Sequence, residues 1–360
     1  MNLLVFMPLL VSVKISTRIG FFNFVLDSQN KFSYITSIMK TKQTKPGETK
    51  NEVLSEIPKA CFDETAAVEF LEKQRWGNTP ACPHCGSTNV RKMTNGNGGR
   101  NKRFLWRCKD CKKQYTIRIG TVFEDSRIPL RIWCYAFWAA CASKKGVSAL
   151  QISRQCSISY KSALFMMHRI RYAMQEEPKA KFRGIVECDE TYVGGKPRKP
   201  ANKKNKRGRG TKKTPVVAIV ERRGKIRVRP VANVTAKTLR KAIKETVDTR
   251  LARLCTDELP SYTSIGWEFT HGHGKVKHQR LQYSNGSDHV NTAESFFALL
   301  KRGLYGTFHA VSKKHLHRYC SEFQFRWDTR KLNDGERLSA AIKASEGKRL
   351  MYHKPIAHSA

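Results

Sequence analysis

The alternation of apolar and polar positions over residues 179–260 predicts four short strands and one helix. Apolar runs broken by turn signals mark the strands, and Leu239, Ile243 and Val247 recur at the spacing of one helical face. The predicted strands are residues 185–188, 215–221, 226–231 and 251–255, and the predicted helix is residues 236–247. The order strand, hairpin, strand, helix, strand predicts an α/β domain with a mixed sheet.

A helical pattern precedes this domain, in residues 126–178. An apolar segment at 131–138 is followed by a short helix at 148–156, a tight turn and a longer helix at 160–174. The longer helix carries these basic side chains: Lys161, His168, Arg169 and Arg171. A short helix, a turn and a basic helix are typical of a helix-turn-helix, whose second helix enters the DNA major groove. Because packed helix pairs also occur in bundles that bind no DNA, this interpretation depends on the charge of the chain.

Four cysteines form two CxxC pairs separated by 22 residues: Cys82, Cys85, Cys108 and Cys111. Each pair can place two thiolates on one ion, and two pairs complete the tetrahedral set that zinc prefers. Turn signals at residues 95–98 and an aromatic strand at 103–107 predict a hairpin between the pairs. The pattern therefore predicts a zinc ribbon with a structural Zn²⁺, and disulfides or a redox-active CxxC pair are the alternatives.

Basic residues far outnumber acidic ones. Of 360 residues, 68 are Lys or Arg and 29 are Asp or Glu, which gives a formal net charge of +39. This excess is larger than solubility requires and indicates a polyanionic partner. A hydrophobic content of 40% allows packed cores in two or three domains, which excludes a chain that is only a disordered basic tail. A nucleic-acid packaging protein without catalysis shares this charge, so the motifs must decide.

Three segments are predicted to lie outside the packed domains. Residues 1–60 are interpreted as a disordered extension and linker, because the apolar run at 2–13 is too short to span a bilayer and Met39 is a plausible natural start. Residues 196–213 form a basic loop, and residues 333–360 form a C-terminal tail. The odd number of cysteines, 11, indicates a reducing compartment. The predicted division of the chain is 1–60 for the extension and linker, 61–125 for the zinc ribbon, 126–178 for the helical region, 179–332 for the α/β domain and 333–360 for the tail.

Three carboxylates and a lysine occupy positions that can form a catalytic cluster. Asp189 follows the first predicted strand, and Asp257 follows the fourth. The strand order matches an RNase H-like sheet, in which these two strands lie side by side, so the aspartates are expected to be neighbours. Glu294 and Lys301 are seven residues apart on a predicted helix and therefore share a face. Carboxylate oxygens held at a strand end are suitable ligands for Mg²⁺.

Other residues compete for these roles. Glu187 shares the strand face of Asp189, Glu190 is expected to point away, and Asp288 lies in a loop before the helix. The pair formed by Glu294 and Lys301 also fits an ordinary solvated helix surface. Three histidines and three aromatic residues fit either DNA contact or plain packing and solvation: His271, His273, His278, Tyr192, Trp267 and Trp327.

Several of these segments resemble bacterial insertion-sequence DDE transposases that join an N-terminal zinc ribbon to an RNase H-like catalytic domain. The matching segments are ECDETYVGG at 187–195, TD at 256–257, HVNTAE at 289–294 and LLKRG at 299–303. The resemblance covers about residues 61–332, and the order and spacing of the motifs agree with the family.

The resemblance implies that Asp189, Asp257 and Glu294 are catalytic and bind Mg²⁺ or Mn²⁺, and that Lys301 is the accompanying basic residue. It implies two-metal phosphoryl transfer, with cleavage at transposon ends and strand transfer into target DNA. A homo-oligomer on DNA and a cytoplasmic, nucleoid-associated location are also implied. The alternatives are a DNA-binding regulator, an inactive or domesticated relative without catalysis, and a nuclease that cuts without joining.

Overall fold

The computed structural model describes residues 52–176, 180–195, 211–276, 284 and 286–352. Most of the predicted N-terminal extension, most of the predicted basic loop and His278 lie outside the described residues. No helix in these described ranges is long and apolar enough to cross a membrane.

The described ranges contain the following helices: α1 Glu52–Phe62, α2 Glu64–Trp76, α3 Leu130–Ala142, α4 Ala149–Cys156, α5 Tyr160–Ala173, α6 Ala236–Thr246, α7 Thr263–Gly266, α8 Asn291–Gly303, α9 Leu316–Asp328 and α10 Asp334–Lys343. They also contain these strands: β1 Val90–Lys92, β2 Trp106–Cys108, β3 Gln114–Tyr115, β4 Phe182–Val193, β5 Thr214–Glu221, β6 Ile226–Pro230, β7 Val247–Thr256 and β8 His273–Lys275.

Helices α1 to α5 and α10 share one apolar core. Its largest buried side chains include Trp133 and Phe137 of α3, together with Met166 of α5. Local signals start these helices, since the Asp63 carboxylate accepts the N–H of Ala66 at 2.7 Å as the cap of α2. Burial of this face stabilises the helical region more than local propensity does.

The structure differs from the predicted boundaries at two places. Helix α1 begins at residue 52, inside the segment assigned to the linker, and buries Ile57 and Ala60. Helix α10 lies in the segment assigned to the tail, begins with a capping box between Asn333 and Glu336, and buries Leu338. Helix α1 contains Pro58, and a proline within a segment argues against a helix when only the sequence is read. Helix α10 is short and half polar, so its apolar positions are a weak sequence signal.

The zinc-ribbon region folds as a three-stranded antiparallel sheet in the order β1-β2-β3. Its core is small and consists of Trp106 and Tyr115 with two of the cysteines. The Trp106 indole N–H donates to the buried Glu72 carboxylate of α2 at 2.7 Å. A core of this size does not fold without an added cross-link or metal.

The second domain is a five-stranded mixed sheet in the order β6-β5-β4-β7-β8. Strands β4, β5 and β6 form an antiparallel meander, whereas β4–β7 and β7–β8 are parallel pairs. Helices α6 and α7 pack on one face, and α8 and α9 pack on the other. The order, the mixed pairing and the flanking helices confirm the predicted RNase H-like α/β fold.

Strand β4 is longer than predicted, because it continues past Asp189 to Val193. Its antiparallel partner β5 pairs with it over this whole stretch, from Val186 opposite Glu221 to Val193 opposite Thr214. Asp189 therefore lies within the strand and not just beyond it. The parallel pairing with β7 still ends beside Asp189, which keeps the predicted strand edge on that side.

Helices α4 and α5 are joined by a short turn, in the order that the sequence predicts. Ser148 and Ser159 cap the two helices, and Ser157 between them is left-handed with φ 51°. The surface of α5 carries fewer basic side chains than predicted, because His168, Arg169 and Arg171 are buried. Their polar atoms face neighbouring segments of the protein, whereas Lys161 at the start of α5 is exposed.

Each buried arginine of α5 has a structural partner. Arg169 donates to the carbonyls of Val122 and Glu124 at 3.1 and 2.7 Å. Arg171 pairs with the fully buried Glu322 of α9 at 2.7 Å. The sequence prediction that these side chains contact DNA is therefore corrected: they join the helical region to neighbouring parts of the fold.

Candidate functional site

The sheet brings Asp189 and Asp257 to the same strand edge. The last parallel pair between β4 and β7 is Cys188 opposite Thr256, and the two aspartates are the next residues of each strand. Because both aspartates directly follow the last paired position of two parallel strands, their carboxylates lie next to each other. This is the arrangement that the strand order predicts.

Asp189 is half-buried on the face covered by α8 and α9. Burial, together with the negative charges of Glu190, Asp257 and Glu294, raises the pKa of Asp189 to about 8. The backbone N–H of Glu190 donates to Asp189 Oδ1 at 2.7 Å and opposes this effect. The carboxylates thus form one repulsive cluster, and a bound cation would relieve the repulsion.

The segment that carries Asp257 is held by short hydrogen bonds. Asp257 Oδ1 accepts the N–H of Leu259 at 3.1 Å, and its carbonyl accepts the Thr256 hydroxyl at 2.8 Å. The ring Nε2 of His273 lies 2.8 Å from that hydroxyl oxygen. Burial lowers the pKa of His273 to about 4, so the ring is neutral at neutral pH and can donate from Nε2. His273 therefore supports the loop of Asp257, whereas His271 uses its carbonyl to accept from Arg253 at 3.0 Å.

Glu294 is exposed in the first turn of α8, and Lys301 is exposed in its last turn. The opposite face of the helix is buried in the core through Phe296, Phe297 and Leu300. Glu294 raises the pKa of Asp189, which places its charge within electrostatic range of that carboxylate. The structure therefore positions the three predicted carboxylates around one strand edge.

Glu187 is not a free competitor of Asp189, because it holds the N-terminus of α8. Its buried carboxylate accepts the N–H groups of Thr292 and Ala293 at 2.8 and 3.1 Å and the Thr292 hydroxyl at 2.8 Å. It also forms an ion pair with Arg222 at 2.8 Å. The cap position of α8 is Val290, which has no side-chain acceptor, so Glu187 satisfies backbone donors that would otherwise be unpaired.

Sequence reasoning missed this role of Glu187. A helix whose cap position lacks a polar side chain needs an acceptor from elsewhere, and a carboxylate on a buried strand is a suitable source. That signal was available in the sequence. The partner could not be identified, since Glu187 and Thr292 are 105 residues apart.

The other two acidic competitors also have structural partners. Asp288 forms a two-point ion pair with Arg253 at 3.1 and 2.9 Å, and this pair lowers the pKa of Asp288. Glu190 faces away from Asp189, as predicted, and accepts the hydroxyl of the buried Tyr262 at 3.0 Å. Tyr262 follows Asp257 by five residues, so this hydrogen bond connects the loop of Asp257 to β4.

The four ribbon cysteines meet the geometry of one zinc ion. Their sulfurs all lie within 4.8 Å of one another, and two pairs, Cys82 with Cys111 and Cys85 with Cys108, are 3.7 Å apart. Tetrahedral Zn–S bonds of about 2.3 Å require sulfur separations of about 3.8 Å. A disulfide requires about 2.05 Å, so the disulfide alternative does not fit. Within the described ranges, no other group of three or more potential ligands lies this close together.

Backbone donors favour the thiolate form of Cys108, whereas burial and the three neighbouring cysteines raise the pKa of Cys85 to about 12. The N–H groups of Cys111 and Asp110 lower the pKa of Cys108 to about 7. Thiolates are the form that binds zinc, so the knuckle prepares the ligand for the metal. The three carboxylates at the strand edge are less tightly grouped than the four thiolates, since their oxygens do not all lie within 4.8 Å.

The aromatic candidates divide into packed and exposed residues. Trp327 packs edge-on against Phe296 at 5.7 Å and carries the Arg330 guanidinium over its ring at 4.7 Å. Tyr192 is half-buried on β4. Trp267 has 85% of its surface exposed and is not part of the core.

Two family models match the chain. Residues 181–328 match the ISXO2-like transposase domain, and residues 62–114 match the transposase zinc-ribbon domain. A curated relative, the "uncharacterized protein in transposable element ISH50" from Halobacterium salinarum, is 29% identical over 298 residues, covering 80% of this chain and 98% of its own length.

Two solved structures have a partial likeness to the chain. The Mos1 strand transfer complex is 15% identical, covers 57% of this chain and 75% of that chain, and gives a TM-score of 0.24. The Mos1 paired-end complex with the left transposon end is 16% identical, covers 52% and 74%, and gives a TM-score of 0.20. The chain therefore contains a transposase zinc-ribbon domain followed by an ISXO2-like transposase domain, and it is similar to a protein of a transposable element.

Proposed function

We propose that this transposase cleaves DNA at the ends of its element and joins the freed ends to target DNA. The observation that carries the proposal is the placement of Asp189 and Asp257 as adjacent residues past the last β4–β7 pair, with Glu294 within electrostatic range. The net charge of +39 supports DNA as the substrate.

In this proposal Asp189, Asp257 and Glu294 hold two divalent ions, Mg²⁺ or Mn²⁺. Their donor set fits, because oxygen ligands suit Mg²⁺ and a cation would offset both the burial and the mutual repulsion that raise the pKa of Asp189. The bound ions would polarise the scissile phosphate and stabilise the attacking and leaving oxygens.

The chain itself positions the reacting groups. Strand β4 keeps Asp189 rigid, the loop held by Tyr262 positions Asp257, and α8 presents Glu294. Lys301 lies nearly two turns beyond Glu294 on an exposed face, about 10 Å along the axis, where an ammonium group can contact a phosphate of the bound strand. The ribbon zinc is structural, since four cysteines fill its coordination sphere.

Binding to DNA involves further parts of the chain in this proposal. The exposed start of α5, with Tyr160 and Lys161, is the part of the helix-turn-helix that can enter a major groove. Two transposon ends must be brought together for joining, which requires a homo-oligomer on DNA.

The test is cleavage and strand joining of a duplex that contains the inverted repeat flanking the gene, in Mg²⁺ or Mn²⁺. We expect Asp189→Asn and Glu294→Gln to lower both reactions by at least about a thousandfold, the scale of an essential transition-state interaction. Asp248→Asn is the matched control, because Asp248 lies at the opposite end of β7, about 30 Å from Asp257 along the strand.

If both site variants cut and join as well as the control, the catalytic assignment is wrong. Retained binding without cleavage by the parent chain would instead favour the DNA-binding regulator. Cleavage without joining would favour a nuclease of the same fold.

A further inference from the structure

A lysine-lined cavity of about 310 Å³ lies at the end of β4. Its lining includes Val193, Gly194, Gly195, Lys212, Lys213, Lys313 and Leu316. Three lysines from two separate segments thus converge on one concavity, and no carboxylate is among its lining residues in the described ranges. We name these three residues, Lys212, Lys213 and Lys313, the lysine cluster.

The cavity lies on the same side of the sheet as Asp189. Val193 is four residues after Asp189 on β4, and an even spacing along a strand keeps side chains on one face. Val193 and Leu316 belong to the core formed with α8 and α9, which confirms the face. At about 3.3 Å per residue, the cavity wall is about 13 Å from Asp189.

The glycine pair after β4 makes room for the lysine cluster. A Cβ at Gly194 would lie 3.3 Å from Lys213 Cγ, which is closer than most Cβ contacts. Gly194 has φ 153°, a conformation that L residues rarely adopt. Gly194 and Gly195 therefore add no side chain to this wall of the cavity.

We propose that this cavity binds a backbone phosphate of the DNA strand whose cleavage takes place at Asp189. Ammonium groups that share a concavity without a carboxylate repel one another, and a phosphate relieves that repulsion while accepting several hydrogen bonds. The contact is with the backbone, so it positions the strand without reading its sequence.

The distance between the cavity and Asp189 limits which phosphates can be bound. Successive nucleotides of a strand in B-DNA rise about 3.4 Å along the axis, so 13 Å corresponds to at most about four nucleotides. The lysine cluster therefore holds a phosphate within about four nucleotides of the scissile bond. This inference rests on the proposed function for its position along the strand, and on the cavity itself for its charge.

The first experiment neutralises individual phosphates of the substrate. In the duplex that contains the inverted repeat and its junction, one methylphosphonate replaces each phosphate in turn, and cleavage in Mn²⁺ is measured. We expect the parent chain to lose about tenfold in rate at one or two positions within four nucleotides of the cut, the scale of one charge-assisted hydrogen bond. The double variant Lys213→Gln/Lys313→Gln cleaves the unmodified duplex more slowly and is no longer sensitive at those positions.

The matched control is Lys237→Gln/Lys241→Gln. These two lysines are also exposed, but they lie on α6, on the other face of the sheet. The control keeps the parent pattern of sensitive positions. If the lysine-cluster variant keeps that pattern as well, or if no position within four nucleotides is sensitive in the parent, the proposal is wrong.

The second experiment does not require catalysis. Binding of a mixed-sequence duplex is measured by fluorescence anisotropy at several salt concentrations, with the full chain and both double variants. Loss of one to two phosphate contacts makes the slope of log K against log salt less negative by about 0.9 to 1.8 for the lysine-cluster variant. An equal slope for this variant and the α6 control would overturn the proposal.

The two experiments separate failure of the proposal from failure of the proposed function. If Asp189→Asn still cleaves, or the parent does not cleave, the catalytic assignment fails. The salt slopes alone then decide whether the cavity binds a DNA phosphate. If Asp189→Asn abolishes cleavage and the slopes are equal, the catalytic assignment stands and the cavity does not bind DNA.

Discussion

Replacing Glu187 by Gln should weaken both the fold and the catalytic site. The carboxylate receives donors on both oxygens: Arg222 and the Thr292 hydroxyl on Oε1, and the N–H groups of Thr292 and Ala293 on Oε2. Gln keeps one oxygen but replaces the other by an NH₂ group, which must face either the backbone N–H groups or Arg222. Because both arrangements bring donors together, at least one hydrogen bond is lost in either case.

The magnitude follows from the burial and charge of the group. Glu187 is fully buried, and a hydrogen bond to a charged group contributes about 1.5–3 kcal/mol. Removing one partner of a buried ion pair costs about 3–5 kcal/mol. Arg222 keeps its hydrogen bonds to the carbonyls of Ser287 and His289, so we expect a loss near the lower end, about 3 kcal/mol.

Urea unfolding of the zinc-loaded chain measures the loss as a lower midpoint at unchanged slope. The matched control is Glu245→Gln, which removes an exposed ion pair with Arg229 and should change the free energy of unfolding by less than about 1 kcal/mol. A second measurement is the Mn²⁺ concentration for half-maximal cleavage, at a temperature where both chains are folded. It should rise in Glu187→Gln, because α8 carries Glu294.

A midpoint for Glu187→Gln equal to that of Glu245→Gln would refute the structural reasoning. A lower midpoint with an unchanged Mn²⁺ requirement would show that Glu187 stabilises the fold without positioning Glu294.

Three further predictions concern other parts of the chain. Cys108→Ser should reduce bound zinc from about one ion per chain to nearly none by atomic absorption, and should make the ribbon sensitive to protease. Arg171→Met should lower the free energy of unfolding by about 3 kcal/mol in urea, because it leaves Glu322 with one fewer buried partner. Burial raises the pKa of Asp328 to about 6, so the folded state favours the protonated carboxyl group. The stability that this group contributes is therefore fully present below about pH 4 and is lost as pH rises through 6. Asp328→Asn should therefore gain stability relative to the parent between pH 4.5 and pH 7 in urea titrations, and a constant difference across that range would contradict the assignment.

Four of the five strands could be predicted from the sequence because apolar residues recur in them and their turns are explicit. Strand β8 was missed, because His273–Lys275 contains no apolar side chain. Strands β5 and β6 match the predicted bounds closely, since the hairpin at 222–225 limits both. The adjacency of Asp189 and Asp257 followed from strand order alone. Long-range partners could not be predicted in this way, because no local pattern indicates that Glu187 meets α8.

The basic residues of α5 show a second limit of prediction from the sequence. Charge favoured contact with DNA for His168, Arg169 and Arg171, yet all three are buried. An arginine can be buried when carbonyls or carboxylates receive its donors, and those acceptors come from distant segments such as α9. Net charge indicates the partner of a chain, but it does not identify which basic side chains reach that partner.

Strand β4 explains why the acidic motif is so compact. Glu187 and Asp189 point to the face of α8, whereas Glu190 points to the face of Tyr262. One strand therefore carries the proposed metal ligand and, on either side of it, the acceptors that hold the helix of Glu294 and the loop of Asp257. A shift of one residue in the register of β4 would reverse all three side chains at once. The parallel register with β7 and the antiparallel register with β5 both oppose such a shift, so the two pairings together determine the geometry of the proposed site.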